Sequence, residues 1–112
     1  MAEWNEDIEI ELRRARQAQN PGRVRTSARR IAGIAIREFQ KLNAIQPTEQ
    51  DHVSLLRLFM RMENVPADIR SAAARLEARL APDFTSLSID PIGDAMIIVE
   101  FVRKKPRANR EQ

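Results

Sequence analysis

Prolines divide this chain more firmly than any other feature. Pro21, Pro47, Pro66, Pro82 and Pro91 fall at fairly even intervals. Each lacks an amide hydrogen and breaks a helix interior, yet fits a helix's first turn. The stretches between them have helical length and periodicity. They predict an all-α fold, a compact up-and-down bundle of about five helices joined by short turns. At 112 residues the chain is expected to form one domain. The boundary is placed at residues 1–104, with 105–112 a basic, disordered tail broken by Pro106.

The first segment, about 5–19, sets Trp4, Ile8, Leu12 and Ala15 on one face. Acids lead it and arginines close it, which complements the helix dipole. Asn20-Pro21 reads as a cap and first-turn proline for a second helix over 21–43. That helix carries a core stripe of Val24, Ala28, Ile31, Ala32, Ala35, Phe39 and Leu42. Ile34 and Ile36 widen its apolar arc to roughly 200°, beyond what a simple surface helix shows. A third helix, about 49–63, is expected to start at Thr48, with Asp51 at the capping-box offset. Its Val53, Leu55, Leu56, Leu58, Phe59, Met60 and Met62 also cover more than half of the circumference. Two such arcs predict a homodimer through helices two and three, because a monomer seldom exposes large apolar patches.

The fourth helix, about 66–80, opens at Pro66 and has a narrow stripe of Ile69, Ala73, Leu76 and Leu80. A loop over 81–90 follows, with Phe84, Leu87 and Ile89 expected to dock on the core. The closing segment, Met96 to Val102, is apolar and β-branched, so 85–102 can also be drawn as a hairpin. Asp90-Pro91 is a cap and first-turn pair, and a helix apolar on all sides suits a buried position. Helix over 91–103 is therefore the preferred reading.

Composition narrows the function. Without cysteine there is no disulfide scaffold, thiolate zinc site or cysteine nucleophile. His52 is the single histidine, so one chain cannot build a multi-histidine metal site. No cofactor is expected. No apolar run reaches the length of a membrane span and the acidic start is unlike a targeting signal, which predicts a cytoplasmic protein. The net charge is only +3, but 16 of the 19 basic residues are arginine. Residues 1–12 hold five acids and no base, whereas 13–30 hold seven arginines and no acid.

The order of these segments resembles the HEPN superfamily over roughly residues 6–104. The features that carry it are a short amphipathic helix, a Gly-Arg turn, and a long helix ending IAGIAIREFQKL. HVSLLRLF opened by His52, IRSAAARLEARL behind Pro66, a DF loop and the closing DAMIIVEFV complete it. The resemblance implies a dimerising helical bundle, often working in toxin–antitoxin or nucleotide-related systems beside a nucleotidyltransferase-fold partner. Members that act as ribonucleases carry an arginine, four to six residues, then a histidine. Here the window before His52 holds Ile45, Gln46 and Pro47, so that motif is missing.

Arg13, Arg14, Arg16, Arg23, Arg25, Arg29 and Arg30 straddle the turn between helices one and two. Arg23 and Arg25 sit near the positive end of a helix dipole, a cost that a bound phosphate or nucleotide would offset. Gly22 lets a ligand approach the backbone there. The alternative is a solvated basic edge. Arg23, Arg30, Arg37 and Lys41 form a second stripe at near-heptad spacing, able to follow a phosphate backbone such as RNA. His52 falls on the apolar side of helix three, either as a structural residue or as a ligand contact facing the arginine end. No paired carboxylates, nucleophile or glycine-rich phosphate loop accompany it. The chain thus reads as a non-catalytic, dimeric binding or partner module, with Arg13, Arg16, Arg23, Arg25, Arg29, Arg30 and His52 as candidate anion-binding residues. The alternatives are a divergent ribonuclease or nucleotide-processing enzyme, and a small nucleic-acid-binding regulator.

Overall fold

In the computed structural model, which describes residues 3–43, 51–78 and 88–104, five helices form and no strand appears among the described residues. They are α1 (Glu3–Gln17), α2 (Pro21–Leu42), α3 (His52–Met60), α4 (Ala67–Glu77) and α5 (Pro91–Lys104). Local chemistry sets most of their starts. The Asn20 side chain accepts a hydrogen bond from Gly22 N at 2.7 Å, with Pro21 as the first residue of α2. Asp90 Oδ1 accepts from Gly93 N at 3.0 Å at the head of α5, so the segment over 91–103 is helix and not hairpin.

Two boundaries differ from expectation. Asp51 itself caps α3, its carboxylate accepting from Ser54 N at 2.7 Å, so the helix begins at His52 and runs only to Met60. The hydrogen bonds from Ser54 hold the Asp51 carboxyl below the usual range. Pro66 stands just outside α4 in extended conformation, and its carbonyl accepts from Arg70 N. Thr48, Leu80, Phe84, Leu87 and the tail 105–112 lie outside the described residues.

α2 is the central element and packs against α1, α3, α4 and α5. That position explains its wide apolar arc: Ala28, Ile31, Ala32, Ala35, Ile36 and Phe39 are all fully buried within one chain. On α3, Leu55, Leu56 and Phe59 are likewise fully buried. Among the described residues the exposed large apolar side chains are Ile10, Ile89 and Ile97, none of them on α2 or α3. Ile34 and Leu42 on α2 and Val53, Leu58 and Met60 on α3 are half-buried. Three rings tie α2, α3 and α5 together: Phe39 lies 5.5 Å from Phe59 and 5.4 Å from Phe101. Such pairs contribute about 0.5–1.5 kcal/mol each beyond the area they bury.

Ile89 corrects the sequence reading. It is 98% exposed and does not dock on the core. Its neighbour Ser88 takes the inward position, donating its hydroxyl to Asp94 Oδ2, which turns the next side chain outward. No described helix is long and apolar enough to cross a membrane.

Candidate functional site

The arginines around the α1–α2 turn do not gather at one place. Helical geometry turns each residue by about 100°, so Arg25 and Arg29 stand about 200° and 240° around α2 from Arg23. They face α4. Arg29 Nε donates to Leu76 O at 2.7 Å, and its Nη2 reaches Ala78 O at 3.2 Å and Glu77 O at 3.4 Å. Arg25 Nη2 donates to the same Ala78 carbonyl. These are the carbonyls that α4 leaves unpaired at its end, where the dipole favours cations. Burial, and next to it the charge of Arg25, lower the Arg29 pKa, while Glu77 opposes the shift. Both side chains serve as the cap of α4. Both direct donors to the α4 carbonyls, away from the face of α2 that carries Arg23.

On the opposite side of α2 the chain leaves an open groove against the end of α1. Arg14, Gln17, Ala18, Arg23, Thr26, Ser27 and Arg30 line it. Arg23 is exposed, and the Arg14 and Arg30 side chains are 60% and 45% exposed. Beneath them lies Glu11, whose side chain is only 10% exposed. Its Oε2 accepts from Arg14 Nη1 at 2.8 Å, and its Oε1 lies 4.0 Å from Arg30 Nη1. That Oε1 is buried and makes no hydrogen bond. One buried carboxylate thus holds two guanidiniums at the rim, leaving most of their donors for an acceptor in the groove. Arg13 and Arg16 are exposed but do not line it. At about 200° and 140° around α1 from Glu11, they point elsewhere.

His52 sits further along α2, where its ring lies against Gly33. Its Nδ1 is buried without a hydrogen-bond partner. Burial lowers the His52 pKa first, and Arg37 and Arg30 lower it further, against opposing contributions from Asp51 and Glu11. The imidazole is therefore neutral near pH 7. Arg30, which lines the groove, is near enough to His52 to act on its charge.

Arg14 belonged to the arginine cluster read from the sequence, whereas Glu11 was not among the candidates for a site. A helical projection of both segments would have found it, because Glu11 and Arg14 share one face of α1 while Arg23 and Arg30 share one of α2. Asp94, in the first turn of α5, is the acceptor of a bidentate fork from Arg75, with Nη2 to Oδ1 at 2.7 Å and Nε to both oxygens at 3.1 Å. That pair raises the Arg75 pKa and joins α4 to α5. Among the described residues no cluster of His, Asp and Glu suits a metal ion. Compared with family models, curated proteins and solved structures, the chain matches none.

Proposed function

We propose that this domain is a non-catalytic, HEPN-like binding module whose α1–α2 groove takes a phosphate-bearing ligand, through Arg14, Arg23 and Arg30. The observation that carries the reading is the lining of the groove. Three arginines line it together with Gln17, Thr26 and Ser27, while the nearby carboxylate, Glu11, is held beneath the rim. Arginine's planar fork matches phosphate oxygens, and charged hydrogen bonds of this kind are worth about 1.5–3 kcal/mol each. By its resemblance to HEPN domains, such a module would work beside a nucleotidyltransferase-fold protein.

Thermal melts with and without phosphate or ATP test this. Ligand should raise the melting temperature of the wild type, and Arg23→Ala with Arg30→Ala should abolish the rise. A wild type unmoved by either ligand would mean that the groove is a solvated edge.

A second reading, an enzyme acting on phosphodiesters, draws support from Arg30 and Arg37 lying close enough to His52 to lower its basicity. They would supply from α2 the arginine that the segment before His52 lacks. Binding is preferred because Nδ1, the atom that an orienting acid engages in a catalytic histidine, has no hydrogen-bond partner. Cleavage of an RNA oligomer that disappears in His52→Ala would reverse the preference.

A further inference from the structure

We infer that α1 pairs antiparallel with the α1 of a second copy, through the outward face centred on Ile10. α1 packs chiefly on α2, and its buried Ile8 and Ala15 stand about 160° and 140° around the helix from Ile10. Ile10 itself is 43% exposed. Within about 60° of it on the same face lie Glu3, Glu6 and Asp7 before it, and Arg13, Arg14 and Gln17 after it. All six are exposed. Acids from the block at 1–12 and arginines that follow it thus share one face of one helix, with an uncovered apolar side chain between them. The helix dipole accounts for acids early and arginines late, but not for their common face or for Ile10 on it.

Such a face complements itself. A two-fold axis beside Ile10 sets each residue of one copy opposite the residue of the other that lies equally far beyond Ile10, on the same flank. Glu6 stands about 40° to one side of Ile10 and about 6 Å before it, and Arg13 about 60° to that same side and about 4.5 Å after it. The axis therefore brings Glu6 of each copy against Arg13 of the other, with the two Ile10 side chains between the pairs. Glu3 and Gln17, each about 20° from the line through Ile10 and about 10.5 Å along it, meet at the ends. A parallel pair would set acid on acid and arginine on arginine, so the charges select the antiparallel one. Among the described residues neither Glu6 nor Arg13 forms an ion pair, and Arg13 stands outside the groove. Arg14 is held by Glu11, and the pairing does not call on it. One helix face per copy falls near or below the roughly 1,200 Å² at which stable interfaces begin, and salt screens exposed charges, so the pair is a weak one that low salt favours.

Sedimentation equilibrium from micromolar to millimolar concentration, at low and at high salt, tests this. The wild type should approach twice the chain mass at low salt and dissociate as salt is raised. Glu6→Arg and Arg13→Glu should each weaken association at least about tenfold, because each sets like charges opposite one another twice. Mixed in equal amounts, the two variants should recover it, since the mixed pair again has opposite charges at both places. Ile10→Lys should abolish association, and thermal melts should find all three variants folded. A wild type that stays monomeric at millimolar concentration overturns the pairing. So do variants that associate as the wild type does, which puts any contact on another face, and a mixture that stays monomeric while both variants are folded.

Discussion

A Cβ on Gly33 would collide with Nδ1 of His52. Glycine is required at this point of α2 by the ring across from it, and not by its own backbone. The contact brings the first turn of α3 onto the middle of α2.

Gly33→Ala therefore has opposing effects. Alanine gains about 1 kcal/mol over glycine inside a helix, while forcing the ring aside costs about 1–3 kcal/mol. In the wild type the substitution should be neutral to destabilising by up to about 2 kcal/mol. In a His52→Ala background it should stabilise by up to about 1 kcal/mol. A double-mutant cycle by urea denaturation reads the change of sign.

The pH dependence of stability follows from the lowered His52 pKa, whose causes are burial and then Arg37 and Arg30. In the unfolded chain the imidazole titrates near its ordinary value of about 6.5, so between that value and the lower folded one the unfolded state binds more protons. The contribution is complete above about pH 6.5, falls as the pH drops through that window, and levels off below the folded pKa. Denaturation midpoints measured across this range should show the decline in the wild type, and His52→Gln should remove it.

Arg29 and Arg23 should separate cleanly. Arg29→Ala removes the donor to Leu76 O and Glu77 O at the end of α4 and leaves Ala78 O to Arg25 alone, and should cost about 1.5–3 kcal/mol with or without ligand. Arg23→Ala should leave ligand-free stability within about 0.5 kcal/mol, as for an exposed surface position, and act only on binding. Paired melts with and without phosphate distinguish the two behaviours.

Asp94→Asn should weaken the joint between α4 and α5. Asp94 is 7% exposed and receives the Arg75 fork and the Ser88 hydroxyl. Removing its charge should cost about 1.5–3 kcal/mol. Arg75→Lys keeps the charge without the fork and should cost less. Chemical denaturation of the two variants gives the order.

How much could be read in advance depends on the range of the interaction. The number of helices, the caps at Asn20 and Asp90 and the inward faces of Ile8, Ile31, Phe39 and Leu56 were legible, because propensity, capping and periodicity act within a few residues along the chain. The helical character of 91–103 was legible for the same reason. How many layers α2 touches is a property of packing: it meets four other helices within the chain. The division of the arginines was half legible: their angles around α2 separate Arg23 and Arg30 from Arg25 and Arg29. That Arg25 and Arg29 meet the end of α4, about fifty residues away in the chain, depends on where α4 docks. The same holds for Gly33 with His52 and for Glu11 with Arg30, whereas Glu11 with Arg14 is a local pair three residues apart. Such pairings join elements through side-chain contact across the core, and no local rule of sequence encodes which faces will meet.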